Sequence, residues 1–202
     1  MRPRRNTTVT DPTIPAPAAA PEPTRLESAE VGIAVEVPAG SSFTSQGTEG
    51  GVLRLASEGE TTESEVALGP ATVVYAAEPP QVAGVNLVEA VNRRKEELEA
   101  RPDGRFYGQV ELGGPLGTAY STRGSYSEGG EDVEEVRIFA VHPQGDRLLH
   151  VTLAYAPVAG QGPERVQQAL RAFGWIEPLE AEAEVGGVEM GTAAADESGT
   201  GI

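Results

Sequence analysis

The segment VEEVRIFAVHPQGDRLLHVTLAY, residues 133–155, decides the fold because its two halves alternate between apolar and polar residues. The apolar residues of the first half are Val136, Ile138 and Ala140, and those of the second half are Leu149, Val151 and Leu153. A two-residue turn, at Gln144–Gly145 or Gly145–Asp146, places the two sets opposite each other, whereas a three-residue turn puts them on opposite faces. The segment therefore predicts an antiparallel hairpin.

The same register separates the two histidines of the chain, His142 and His150. With a two-residue turn, their side chains point to opposite faces of the sheet and cannot bind one metal ion together. We expect each to be a surface or rim histidine.

Four more segments carry the alternation or the apolar run of a strand. They are VGIAVEVP (31–38), GVLRLAS (51–57), EVALGPATVVYAAE (65–78) and RFYGQVEL (105–112). In the last segment the alternation predicts that Phe106, Val110 and Leu112 point inward. It predicts that Tyr107, Gln109 and Glu111 point outward.

The glycine-rich stretch GGPLG, residues 113–117, has two interpretations, a phosphate-binding loop or a hairpin turn. A phosphate-binding loop must open a helix, because the helix N-terminus supplies the N–H groups. The residues that follow, TAYSTRGSY, lack a helical period and predict a strand. A hairpin turn is therefore favoured.

Residues 86–104, NLVEAVNRRKEELEARPDG, predict a helix with Leu87, Val91 and Leu98 on its apolar face. Asn86 and Glu89 have the spacing of a capping box. The pairs Glu89–Arg93 and Lys95–Glu99 predict a solvated charged face.

Residues 162–175, GPERVQQALRAFGW, predict a second helix with Val166, Leu170 and Phe173 on its apolar face. Pro163 suits the first helical position, and Gly174 is expected as the C-terminal cap. Trp175, the only tryptophan, is expected to close one edge of the core.

These elements define an α+β fold, an antiparallel sheet of about six to seven strands flanked by two helices. The fold domain is predicted at residues 29–177. Residues 1–28 are rich in proline and alanine and predict a disordered linker. Residues 178–202 are acidic, without lysine, arginine or aromatic residues, and predict a disordered tail.

Composition narrows the function classes. The 202 residues include 31 acidic and 15 basic side chains, a formal charge of −16, which disfavours nucleic acid as a partner. There is no cysteine, which excludes disulfides, thiolate zinc sites and thiol nucleophiles. We recognise no export signal and no apolar run long enough to insert into a membrane, and therefore expect a soluble, cytoplasmic protein. We find no nucleophile elbow, Walker loop or metalloprotease motif, and predict no catalytic, metal-binding or cofactor-binding residue.

Five segments resemble the PsbP-like superfamily, which includes the extrinsic photosystem II protein, DcrB-like lipoproteins, a Ran-binding import factor and EagR-type chaperones. These segments are VGIAVEVPAG, NLVEAVNRRKEEL, LGTAYSTRGSY, DRLLHVTLAYAP and ERVQQALRAFGW. The resemblance covers most of residues 29–177. It implies a largely non-enzymatic function and agrees with the absence of a catalytic motif.

The leading hypothesis is a non-catalytic adaptor or accessory subunit that binds another protein, as a monomer or within a larger assembly. A chaperone for a secreted or membrane-associated partner is one version of it. The candidate contact residues are Tyr107, Tyr120 and Arg123, because exposed tyrosine and arginine often anchor interfaces. The alternatives are a small-molecule-binding or hydrolytic domain that uses His150, and a structural component of an envelope or photosynthetic complex.

Overall fold

The computed structural model describes residues 22–179. The linker and tail predictions for residues 1–21 and 180–202 lie outside the described residues. In chain order the strands and helices are β1 (Thr24–Ser28), β2 (Ile33–Val37), β3 (Phe43–Glu49), β4 (Val52–Ser57), β5 (Glu60–Thr61), β6 (Ala67–Leu68), β7 (Ala71–Ala77), α1 (Leu87–Glu99), β8 (Arg105–Gly114), β9 (Gly117–Glu128), β10 (Glu131–Val141), β11 (Leu148–Tyr155), α2 (Gly162–Gly174) and β12 (Ile176–Pro178).

A seven-stranded antiparallel sheet is the centre of the fold, in the order β3-β4-β7-β11-β10-β9-β8. Helix α1 packs across β8, β9 and β10 on one face, and α2 packs on β10 and β11 on the other. Most of the buried apolar side chains lie on the α2 face, and a smaller cluster lies beneath α1. The predicted α+β architecture with two helices is confirmed.

The hairpin of β10 and β11 has the predicted register, with Val136 opposite Leu153 and Ile138 opposite Val151. Its loop is longer than predicted, because four residues, 143–146, follow the last cross-strand hydrogen bond. In that bond the His142 N–H donates to the Arg147 carbonyl at 2.9 Å. An even number of loop residues keeps the apolar sets on one face, so the side-chain pattern survives the change.

A second, three-stranded sheet, in the order β1-β2-β12, corrects the predicted domain boundaries. Residues 24–28 were expected to be linker, yet they pair along their whole length with β2, and Leu26 packs against the core. Pro178, expected in the tail, pairs with Ile33. The proline-rich composition that predicted a linker ends at Pro23, so it gave no information about the residues that follow.

Helix α1 begins as predicted, with the Asn86 side chain accepting a hydrogen bond from the Glu89 N–H at 3.2 Å. Its charged face is less solvated than predicted, because Arg94 is buried. Arg93 pairs at 2.5 Å with Glu78, the residue that follows β7, although Glu89 was its predicted partner.

Helix α2 buries Phe173 as predicted, but most of its core-facing residues differ from those predicted. Its buried side chains are Arg165, Gln168, Ala169, Ala172 and Phe173. Val166 and Leu170 are only partly buried, because they lie at the edge of this face. Gly174 is the last helical residue rather than a left-handed cap, and Trp175 occupies the cap position with right-handed φ and ψ.

A β-bulge in β8 changes the predicted pattern of this strand. Phe106 pairs with Gly124 and Gly108 pairs with Arg123, so Tyr107 is the extra residue. A bulge reverses the alternation beyond it. Phe106 therefore packs towards α1, whereas Leu112 packs towards the α2 face. Val110, which was expected to be buried, is 65% exposed.

Candidate functional site

The structure brings together two of the three predicted contact residues. The guanidinium of Arg123 on β9 lies 5.3 Å from the centre of the Tyr107 ring on β8, a cation–π contact. Tyr120 lies three residues before Arg123 along an unbroken ladder, so it occupies the opposite face, beneath α1. There its hydroxyl donates to Glu111 at 2.9 Å. We therefore centre the candidate site on Tyr107 and Arg123.

A network of polar contacts fixes Arg123. Its Nη2 donates to Glu134 at 2.9 Å, and the Tyr155 hydroxyl donates to the same carboxylate oxygen at 3.0 Å. The Tyr155 ring in turn packs beneath the guanidinium of the buried Arg165, at 4.7 Å. Burial together with the neighbouring Glu134 raises the pKa of Tyr155 to about 12, so its hydroxyl remains a proton donor at neutral pH. These contacts hold the Arg123 side chain beside the Tyr107 ring.

Beside this pair lies an apolar groove between helix α2 and strands β8 and β9, with a volume of about 370 Å³. We call it the α2–β8 groove. Its principal lining residues are Val110 and Leu112 of β8, Arg123 of β9, and Val166 and Leu170 of α2. Val110 is 65% exposed, and Tyr107, which also lines the groove, is 49% exposed. Apolar side chains therefore face solvent along an edge strand of the sheet.

Tyr107 also lines a second depression, of about 390 Å³, which we call the acidic pocket. Its charged lining residues are Asp103, Arg105, Asp132 and Glu134. The Ser127 hydroxyl lies 3.2 Å from a carboxylate oxygen of Asp103 and 2.9 Å from one of Asp132. One hydroxyl has a single proton to donate, so it satisfies only one of these carboxylates at a time. The site is thus apolar on one side of Tyr107 and acidic on the other.

The two histidines lie on opposite faces of the sheet as predicted, but His142 is buried and only His150 is partly exposed. His142 is buried and its Nε2 lies 2.7 Å from the Val31 carbonyl. His150 lies on the α1 face, where burial, assisted by the charges of Arg137 and Arg94, lowers its pKa to about 4. Its Nδ1 is buried without a hydrogen-bond partner among the described residues. No carboxylate or hydroxyl in the described part of the chain therefore orients the ring through Nδ1.

The groove was missed in the sequence because α2 was assigned one apolar face. Val166 and Leu170 were assigned to the core, while Ala169 and Ala172 in fact occupy it. The apolar arc of α2 is therefore wider than the surface that the sheet covers. The width of this apolar arc was the sequence signal that could have revealed the groove.

Two further properties concern the described part of the chain. Neither of its helices is long and apolar enough to cross a membrane. Residues 22–179 also bring together no group of three or more histidine, aspartate or glutamate side chains that could hold a metal ion.

Comparisons with known proteins match the fold and not the sequence. No family model matches the chain, and neither does any curated protein. The Ran-binding protein Mog1p of Saccharomyces cerevisiae superposes with a TM-score of 0.54 at 13% identity, covering 79% of this chain and 97% of that one. PA94, a protein of unknown function from Pseudomonas aeruginosa, superposes with a TM-score of 0.51 at 15% identity, covering 79% of this chain and 99% of that one.

These likenesses show that the described domain has the same fold as Mog1p and PA94. The coverage shows that almost the whole of each neighbour corresponds to the described domain. At such low identity the likeness extends to the fold alone, and a shared fold does not carry a function.

Proposed function

We propose that this chain is a non-catalytic protein-binding domain and that the α2–β8 groove is its docking surface. The single observation that carries the proposal is the exposed apolar wall of the groove. Val110 is 65% exposed on an edge strand and lies across the groove from Val166 and Leu170. A concave surface with apolar residues and a rigid aromatic–arginine pair at one end has the composition of a protein interface.

The support extends to how the pair is held. Because Glu134 and Tyr155 fix Arg123, and Arg123 lies beside the Tyr107 ring, these side chains lose little conformational freedom on binding. Mog1p, a protein of the same fold, is described as Ran-binding, which shows that the fold can serve as a protein-binding domain. The partner of this chain is a separate question.

The test is affinity purification of the full-length chain from its own cells, followed by mass spectrometry. We expect a partner at stoichiometric level with the unmodified chain and its loss with Val110→Asp, because an ionised carboxylate cannot be buried in an apolar contact. The matched control is Val82→Asp. Val82 is fully exposed in the loop between β7 and α1, outside the groove.

Retention of the partner by Val110→Asp, at the level seen with Val82→Asp, would place its binding surface elsewhere. The absence of any stoichiometric partner from the unmodified chain would contradict the protein-binding proposal itself. Thermal melting checks that both variants remain folded, so that a change in the purified partner reflects binding. We expect both to be folded, because each substitution is at an exposed position.

A further inference from the structure

We propose that the occupant of the α2–β8 groove is an amphipathic helix of another protein, lying beside α2 with a cationic side chain at the acidic pocket. This inference rests on the proposed function and names the shape and the charge of the partner segment. It follows from the space above β8 and β9, from the spacing of the apolar residues and from the charges at one end.

The open part of β8 and β9 lies beside α2, at the distance where a second helix could pack. Helix α2 packs on β10 and β11, while the same face of β8 and β9 contributes the floor of the groove. Neighbouring strands are about 4.8 Å apart, so β8 and β9 lie about 10 Å to the side of the strands that α2 covers. Packed helices have axes 8–10 Å apart. A second helix placed beside α2 would therefore lie over these two strands between Tyr107 and Leu112. It would end before Gly114, which the Phe173 ring of α2 covers.

The apolar residues of the groove also have the spacing that a helix can use. Val166 and Leu170 are four residues apart, so they form one ridge along the side of α2. Val110 and Leu112 are two residues apart and lie on the same face of β8. A helix with apolar residues three and four positions apart contacts the α2 ridge and the β8 floor together.

The main alternative occupant is an extended segment that pairs with the edge of β8. Such a strand lies beyond β8, on the side away from β9, where it extends the sheet. It would cover the backbone edge of β8 and leave Val166 and Leu170 exposed. The apolar wall on α2 therefore favours the helix.

The charges of the acidic pocket favour a cationic side chain at one end of the bound helix. In the acidic pocket Glu134 is paired with Arg123, whereas Asp103 and Asp132 share the hydroxyl of Ser127 and form no ion pair among the described residues. Arg105 also lines the pocket, so carboxylates outnumber guanidinium groups there. The chain as a whole has a formal charge of −16. A lysine or arginine at this end of the partner helix would be attracted both locally and at a distance.

The test is selection of binders from a displayed library of random peptides of about 16 residues, long enough for a helix of about 24 Å. The full-length chain is the target, and the Val110→Asp variant removes peptides that bind elsewhere. We expect enriched peptides with apolar residues three and four positions apart and lysine or arginine at one end. Synthetic copies should gain helicity on binding and lose at least tenfold in affinity for Val110→Asp and for Leu170→Glu.

Two control variants separate the parts of the inference. Gln167→Glu, on the exposed side of α2, should bind the synthetic peptides as the unmodified chain does. Asp132→Asn should reduce the preference for a cationic end while the apolar pattern remains, because the amide still accepts the hydrogen bond from Ser127.

The contrary outcomes are distinct. Enrichment of peptides with an alternating, strand-like pattern overturns the helix and leaves the protein-binding proposal standing. Enrichment of peptides with acidic ends overturns the charge assignment. If no peptide is enriched over the Val110→Asp variant, the inference fails, and the partner purification described above decides separately whether the proposed function fails with it.

Discussion

At the residue scale, two neighbouring arginines of α1 differ in burial and in the partner that each one binds. Arg94 is 2% exposed, and its Nε donates to the buried Glu135 at 2.8 Å. Arg93, the preceding residue, pairs with Glu78 at the surface. The two arginines carry the same charge, but Arg94 pairs with a buried carboxylate and Arg93 with a more exposed one, so their contributions to stability should differ.

We expect Arg94→Met to lower the free energy of unfolding by roughly 3–5 kcal/mol, because it leaves the Glu135 carboxylate buried without its closest cation. Arg93→Met, the matched control, should cost about 0–1 kcal/mol, as exposed ion pairs do. Urea unfolding measures both values. Equal losses for the two variants would show that Arg94 is not buried against Glu135.

His150 predicts a pH dependence of stability. Burial lowers its pKa from 6.5 to about 4, so the unfolded chain takes up a proton here at a higher pH than the folded chain. The free energy of unfolding should therefore fall between about pH 6.5 and pH 4 as the pH decreases, and this contribution should level off below pH 4. The variant His150→Gln should lack this component.

The measurement is the difference in free energy of unfolding between the unmodified chain and His150→Gln at several pH values. Taking the difference removes the titration of the carboxylates common to both proteins. The advantage of the unmodified chain should shrink from pH 7 to pH 4. A difference independent of pH would mean that His150 titrates as an exposed histidine does.

At the scale of the elements, the sequence predicted what depends on local pattern. It predicted both helices, the cap at Asn86 and the register of the 133–155 hairpin, because period and turn parity determine these features. It did not predict the bulge at Tyr107, because one extra residue changes no local propensity and reverses every side chain beyond it. The exposure of Val110, and hence the floor of the groove, follows from that bulge.

The sequence also did not predict which of the charged side chains are buried. Arg94 and Arg93 occupy adjacent positions in a charged run, and only the strand beneath α1 determines which of them is covered. The candidate pair Tyr107 and Arg123 was predicted by residue type. Tyr120 lies on the opposite face of β9 from Arg123, because side chains alternate along a strand. The prediction treated all three residues as outward and did not distinguish the two faces of the sheet.

The glycines at the end of β8, just before the turn into β9, provide a test of how the elements pack. A side chain at Gly114 would meet the ring of Phe173 on α2, whereas a side chain at Gly113 would meet no atom within 4 Å. We expect Gly114→Ala to lower the free energy of unfolding by about 1–3 kcal/mol, the usual cost of overpacking. Gly113→Ala should change it by about 0.5 kcal/mol or less.

Chemical unfolding of the two alanine variants, one residue apart, makes this comparison. A similar stability for both would show that the end of β8 and α2 are not in close contact. The result matters for the groove, because this contact places the C-terminal half of α2 against β8.

At the scale of the whole molecule, charge and shape act together. The chain carries 16 more acidic than basic side chains, and its apolar groove ends at an acidic pocket. We expect the association rate with a cationic helical peptide from the selection to fall steeply as salt rises from about 0.01 M to 1 M, since the Debye length shrinks from about 30 Å to 3 Å. Stopped-flow fluorescence measures this rate, and an association rate independent of salt would contradict the charge argument.

The central claim is that the α2–β8 groove contacts a protein partner, and the most direct measurement is photo-crosslinking in cells. A photoreactive amino acid replaces Val110 in the full-length chain, and replaces the exposed Val82 in the control. The account predicts one discrete crosslinked protein from position 110 and none from position 82. A crosslinked protein at position 82 with none at position 110, or the same diffuse products at both, would contradict it.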